Sequence, residues 1–259
     1  MKTIVLTNQK GGVAKTTTAY ALAAGLRDKG YRVLLVDCDP QGNLTYTAGN
    51  EENKENTLYE VLKGNCTVHE AMRNTHPIDT AMSILSVGLA GTAADMELAG
   101  KVAREYLLRN ALEQVAKDYD YCVTDTTPAL GLLTLNAMTA ADRVIIPLNL
   151  EVYSLQGMEQ LAGFIENVQK YTNKDLKISG LLITRYNERL NISQALIDNV
   201  QQAAKVMNTR VFNAKIRESV AVRETALMRS DLYTEAPKAT ATLDYMAFVD
   251  EFIGLEGKA

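Results

Sequence analysis

"TNQKGGVAKTTTAY", residues 7–20, joins the apolar opening "MKTIVL" to a long alanine-rich run. The order is strand, glycine turn, helix. A loop that cradles phosphate needs inward-pointing backbone N–H groups, a helix N-terminus behind them, a lysine for charge and a hydroxyl for a metal ion. Gly11 and Gly12 supply the flexible backbone, Lys15 stands where the helix begins, and Thr16 offers the hydroxyl. The standard spacing G-x-x-x-x-G-K-[ST] is not met, because Gln9 and Ala14 occupy the two glycine places. The physical requirements are satisfied although the spacing is not. A bland alternative is a strand–turn–helix that happens to carry a glycine pair. The residues at the ends of the other strands decide between the two.

Five more apolar runs succeed the first, "TIVLTN" (3–8): "RVLLVD" (32–37), "MSILSV" (82–87), "YCVTD" (121–125), "RVIIPL" (143–148) and "ISGLLIT" (178–184). They are continuous more than alternating, as strands buried on both faces are. Amphipathic segments such as "KTTTAYALAAGLRDKG" and "AREYLLRNALEQVAKD" lie between them. Strand and helix in alternation predict an α/β fold: a doubly wound, mostly parallel sheet with helices on both faces and right-handed crossovers. Ligands in such sheets bind beyond the carboxyl ends of the strands. With only five prolines and no repeat or linker, residues 1–259 read as one domain.

The strand ends carry acids. "RVLLVD" ends in Asp37, Asp39 comes next in "DCDPQGN", and Asp125 closes "YCVTD" ahead of "TTP". Two carboxylates beyond one strand could serve a metal-bound triphosphate, one holding the metal's water shell and one orienting an attacking water. Asp125 has the form of a Walker B aspartate, which binds magnesium through water. Each alone could be a turn residue; three acids behind strands, beside a lysine loop, form a pattern.

At these residues the chain resembles the ParA/MinD group of P-loop ATPases, of the deviant Walker A type, and among them the small ParA partition ATPases. The group's loop, K-G-G-x-x-K-[ST], is matched by Lys10, Gly11, Gly12, Lys15 and Thr16. "VDCDPQGN" and "YDYCVTDTTPALGLLTLNAMTAADRVIIPL" match two further hallmarks, and the likeness weakens after about residue 205. The resemblance implies a slow, magnesium-dependent ATPase whose two subunits close face to face around two ATP molecules. It implies that Lys10 reaches the partner's phosphates, that Lys15 holds the β- and γ-phosphates, that Thr16 ligates magnesium, that Asp37 and Asp125 support the metal, and that Asp39 positions the hydrolytic water. The nucleotide would lie against Lys10, Gly11, Gly12, Val13, Ala14, Lys15, Thr16 and Thr17, with Arg217 and Ser219 near the base. Partners implied are a second copy, DNA bound without sequence preference, and a ParB-type centromere-binding protein. The place implied is the cytoplasm, on the nucleoid.

Three departures stand out. Ala14 replaces a usual glycine, "DTTP" replaces "DCPP" or "DTPP", and "IRES" (216–219) replaces the base-contacting "IPRN". Charge is consistent with local DNA contacts only: the chain is 22% charged with net charge −4 and a pI near 5.4, which excludes coating of nucleic acid by overall charge. Seven Lys/Arg against four acids lie between Lys205 and Lys238, and Arg223 and Arg229 are the DNA contacts expected there. Cys38, Cys66 and Cys122 have no C-x-x-C spacing and read as thiols of a reducing compartment. No signal-peptide pattern opens the chain, and no run approaches ~18 apolar residues. "LLITRYN" also resembles the membrane-cycling MinD branch, but that branch needs a basic amphipathic C-terminal helix, and "YMAFVDEFIGLEGKA" is acidic. An amide-forming synthetase needs a second substrate's pocket, and an iron protein on this scaffold needs interfacial cysteines that are not so placed.

Overall fold

The computed structural model describes residues 1–49, 55–76, 79–150, 154–187 and 193–257. In chain order it runs β1 (Lys2–Leu6), α1 (Lys15–Asp28), β2 (Val33–Cys38), α2 (Asn43–Thr47), α3 (Leu58–Lys63), α4 (Val68–Ala71), β3 (Arg73–His76), β4 (Asp79–Ser86), α5 (Ala94–Glu97), α6 (Leu107–Glu113), β5 (Tyr121–Thr126) and α7 (Leu132–Ala140). It continues through β6 (Arg143–Asn149), α8 (Ser154–Tyr171), β7 (Lys177–Tyr186), α9 (Ser193–Val206), β8 (Val211–Arg217), α10 (Val220–Leu227), α11 (Leu232–Glu235) and α12 (Thr240–Glu256).

The eight strands form one sheet in the order β3-β4-β2-β5-β1-β6-β7-β8. All pairings are parallel except β3 with β4. The expected doubly wound sheet is therefore present, with an antiparallel edge. All six expected strands exist. Two strands escaped the pattern: β3, "RNTH", is short and polar, and β8, "VFNAKIR", interleaves Asn213 and Lys215 with its apolar residues. Both sit at sheet edges, where one side of the strand is not covered by neighbours and continuous apolarity is not needed. The helix expected at 103–118 shortens to α6, with a 3₁₀ turn at Arg104–Tyr106 ahead of it.

Successive residues feed opposite faces. Val5, Leu34, Val36 and Ile146 enter one core layer, covered by helices including α7, α8 and α9; Ile4, Leu6, Val33, Leu35 and Ile145 enter the other, covered by α1 and α12. β2 and β5 are buried along their whole length. Alanines along α1 let it lie close to the sheet. A Cβ on Gly25 would come within 2.7 Å of Val249 and 2.8 Å of the Tyr233 hydroxyl, so glycine is what lets α1 and α12 approach. α12 buries Tyr245, Phe248, Val249 and Phe252 in this layer, so its apolar face is spent on the core.

The winding order places the site. The chain leaves β1, builds outward through β2 and β4, returns to β5, and then crosses to β6 on β1's other side. The carboxyl ends of β2, β5 and β1 are thereby brought side by side, with Leu6 opposite Asp125 and Asp37 opposite Asp125 in register. The loop after β1 sits at this switch point.

Candidate nucleotide-binding site

The segment between β1 and α1 is held from three sides. Asn8 donates to the Pro147 carbonyl at 2.8 Å and accepts from the Lys10 N–H at 3.0 Å. The Thr184 hydroxyl lies 3.1 Å from the Val13 and Leu148 carbonyl oxygens. Arg185 donates to the Gly12 carbonyl at 3.2 Å. Gly12 has φ of 73°, and nothing lies within 4 Å of where a Gly11 Cβ would be. That open space in front of the loop suits a bound anion.

Lys15 is 7% exposed, and its ammonium donates to the Lys10 carbonyl at 3.1 Å. Burial holds its pKa below the usual lysine value, partly offset by Asp125 and Asp39. A buried cation satisfied by one carbonyl is a strong partner for phosphate oxygens. Ala14 caps α1 in the left-handed region, φ 61° and ψ 31°. Alanine is strained there and glycine is not. Ala14→Gly is therefore expected to stabilise the protein by about 1 kcal/mol, raising its melting temperature by about 2–4 °C in the absence of nucleotide; an unchanged or lower melting temperature would refute the strain.

The three acids differ in role. Asp37 is fully buried, and its oxygens accept from the Thr45 N–H (2.9 Å), the Thr45 hydroxyl (2.7 Å) and the Asp39 N–H (3.1 Å). It braces the Asp39 loop and α2. Asp125, 1% exposed, accepts from the Thr16 hydroxyl at 2.6 Å through Oδ2, while its Oδ1 is buried without a partner. Burial is the first cause that raises the pKa of both carboxyls, and for Asp125 the charge of Asp37 across the β2–β5 pair is the second. An orphaned buried carboxylate oxygen beside a threonine hydroxyl fits a hard dication. Among the described residues no three His, Cys, Asp or Glu side chains gather into a ready-made metal site, so such an ion would need phosphate oxygens among its ligands, as magnesium in nucleotide sites does. Asp39 is half-buried at the cavity edge, its Oδ1 accepting from the Gln41 N–H at 3.0 Å.

A cavity of about 820 Å³ opens over these groups. Gly11, Gly12, Ala14, Lys15, Thr16 and Thr17 line one part of it; Ile216, Arg217, Glu218, Ser219 and Val222 line another. Val13 is buried beneath the loop, and the Lys10 side chain is not part of the wall. Ser219 caps α10 without using its hydroxyl, which leaves that group to the cavity. Arg217 is turned to Asp244, donating from Nε at 2.9 Å and Nη2 at 2.6 Å, and so ties β8 to α12.

The carboxyl-terminal basic stretch is not one continuous face. Lys215 lies over the Tyr186 ring at 5.0 Å and Arg229 over the Tyr46 ring at 4.3 Å. Arg223 is exposed but lines the cavity. The sequence pattern did not point to Thr45, Asp244 or Arg185. The attention to strand ends that selected Asp37 and Asp125 also leads to Arg185, which directly follows the apolar run 178–184.

The family described as "AAA domain" matches residues 1–178. The sporulation initiation inhibitor protein Soj of Bacillus subtilis is 38% identical over 251 residues, 96% of this chain and 97% of that protein. The chain belongs to the ParA/MinD family of P-loop ATPases. Chromosome partitioning protein ParA of Caulobacter vibrioides, another member, is 35% identical over 99% of this chain and 95% of its own. Among solved structures, a cobyrinic acid a,c-diamide synthase from Mycobacterium smegmatis with bound ADP and magnesium superposes with a TM-score of 0.83 at 35% identity, covering 96% of this chain and 93% of that one. Apo McdA from Cyanothece gives a TM-score of 0.87 at 24% identity, over 98% and 100% of the two chains, and shows the shared fold. The ParA/MinD loop K-G-G-x-x-K-[ST] accounts for the failure of the standard phosphate-loop spacing at Gln9, while Ala14 is this chain's own departure from the family's usual glycine.

Proposed function

We propose that this ATPase is a DNA-partition protein. It binds magnesium and ATP in the cavity above β1, closes into a face-to-face homodimer, and in that state holds DNA without sequence preference until a ParB-type centromere-binding protein triggers hydrolysis. The observation that carries the nucleotide part is the pair formed by the half-buried Thr16 and the buried Asp125, with one Asp125 oxygen left for a cation beside the phosphate loop. The relatives named for chromosome partitioning, matched along most of the chain, support the rest.

Each residue then has a task. Loop N–H groups and Lys15 bind the phosphates, Lys15 exchanging the Lys10 carbonyl for phosphate oxygen. Thr16 and Asp125 would hold magnesium, with Asp37 supporting the loop beside it; the ion, when bound, neutralises charge developing on the phosphate oxygens. Asp39 orients the attacking water, with its loop fixed by Asp37. Lys10 serves the partner's phosphates. Val13, Ala14 and Thr17 shape the loop, and Arg217 and Ser219 border the base.

DNA contacts are assigned to Arg229 and Arg223. Doubling of these cations in a closed dimer gives the ATP requirement, since phosphate neutralisation by Lys and Arg supplies nearly all non-specific affinity. The test is retention of unrelated duplexes by the ATP-bound protein across a salt series. Arg229→Ala is expected to weaken all duplexes alike and to lower the slope of log affinity against log salt by roughly 0.9 for each DNA phosphate no longer neutralised. An unchanged slope would move the DNA face elsewhere.

A second reading, an amide-forming synthetase, is favoured by the 35% identity to the diamide synthase. It requires ATP turnover that depends on a carboxylic acid and an amine donor; turnover raised by DNA and a centromere-binding protein excludes it. The membrane-cycling reading is disfavoured by α12, whose aromatic residues would have to leave the core to meet lipid. No helix among the described residues is long and apolar enough to cross a membrane; Lys258 and Ala259 lie outside them.

A further inference from the structure

Three arginines line the cavity: Arg185, Arg217 and Arg223. Arg217 is neutralised by Asp244. Arg185 makes no ion pair with any described residue, although Asp39 and Glu218 border the same cavity.

Its position results from a break in β7. Leu181 and Ile183 point into one core layer, and strict alternation would send residue 185 after them. Tyr186 packs against that layer instead. The pairing with β8 shifts register between Ile183 and Tyr186, and Arg185 has φ of 51°. Arg185 is therefore the extra residue of a bulge, a device that re-aims a side chain beside a functional site. A left-handed arginine is strained, and such strain persists where the surroundings enforce it, commonly around ligands.

The bulge delivers the guanidinium to the phosphate loop. Nη1 donates to the Gly12 carbonyl at 3.2 Å. A guanidinium carries five N–H donors in a rigid fork suited to phosphate, and one neutral carbonyl satisfies a small part of that capacity. The side chain is exposed on the wall that also holds Gly11, Lys15 and Thr16.

We propose that Arg185 is a phosphate contact of the nucleotide site: its guanidinium, held at the Gly12 carbonyl, pairs with a phosphate oxygen of bound ATP. This role rests on the nucleotide reading of the cavity. It adds to the lysine loop a cation supplied from β7, with Lys15 buried behind the phosphates and Arg185 at the solvent side of the loop.

The test compares the full-length protein with Arg185→Lys and Arg185→Gln, titrating ATP and adenosine against a fluorescent ATP analogue at low and high salt. Gln keeps a neutral N–H donor for the Gly12 carbonyl and removes the charge; Lys keeps the charge. We expect Arg185→Gln to lose about tenfold in ATP affinity, Arg185→Lys to retain most of it, adenosine to bind all three alike, and the ATP difference to narrow as salt rises. ATP affinities within twofold of the unsubstituted protein for both variants would overturn the proposal. Equal losses in the two variants, unaffected by salt, would also overturn it, since the arginine would then only brace the loop. Unsubstituted protein that fails to bind ATP would instead overturn the nucleotide reading itself.

Discussion

Lys10→Ala is expected to lower the rate of ATP hydrolysis by about 10³-fold or more while leaving ATP binding within a few-fold of the unsubstituted protein. The backbone of Lys10 belongs to the loop: its N–H donates to Asn8 and its carbonyl accepts the Lys15 ammonium. Its side chain is absent from the wall of its own subunit's cavity. Truncation at Cβ leaves both backbone contacts in place, so the phosphate cradle survives. The truncation removes a cation that the partner subunit's phosphates would receive on closure, the role that an arginine supplied in trans plays in other phosphoryl-transfer enzymes. Phosphate release reports the rate, a fluorescent nucleotide reports binding, and light scattering reports mass. The unsubstituted protein should double in mass with a non-hydrolysable ATP analogue and not with ADP. A Lys10→Ala protein that hydrolyses ATP at the unsubstituted rate, or equal masses in the two nucleotides, would remove the trans role.

Asp39→Ala should reduce hydrolysis by about 10²- to 10⁴-fold, the range for loss of a group that positions or deprotonates a nucleophile, and should prolong the ATP-bound dimer. Asp39 stands at the cavity edge, half-buried, with Oδ1 engaged by the Gln41 N–H and its own N–H fixed by Asp37. The loop's anchor is Asp37, gripped by Thr45, so removal of the Asp39 carboxylate leaves the loop path supported. Magnesium and ATP should still bind through Thr16, Lys15 and Asp125. The decisive comparison is ATP affinity against turnover: if both fall together, Asp39 is a structural turn residue and another group orients the water.

The residues that gather at the candidate site were legible in the chain. Gly11, Gly12, Lys15 and Thr16 are consecutive or nearly so, and a loop whose function depends on neighbours in sequence is readable from sequence. Six strands were legible because burial on both faces demands unbroken apolar runs. The edge strands β3 and β8 were not, because a strand covered on one side tolerates residues such as Asn213 and Lys215. The chain likewise placed Asp37 and Asp125 at strand ends. That they are register neighbours, and that one is saturated by Thr45 while the other keeps an open oxygen, emerged only from the strand order.

The cations show the division most clearly. Counted along the chain, seven Lys/Arg between Lys205 and Lys238 form one basic stretch. The fold gave Arg217 to Asp244, Arg229 to Tyr46 and Lys215 to Tyr186, and turned Arg223 toward the cavity. A guanidinium's role depends on what lies within a few ångströms of it, and here those neighbours come from α12, α2 and β7, tens of residues away or more. Arg185 depends on the fold in the same way: as a letter it is one more residue after a strand, and only the bulge in β7 brings it to Gly12. Contiguous residues were enough to mark the six inner strands, the loop and the three acids, because each is written in a short local pattern. Which acid has room for a cation, and which arginine meets the phosphate loop, required the assembled fold. Side-chain pairing across a parallel sheet is set by crossovers that no local pattern records.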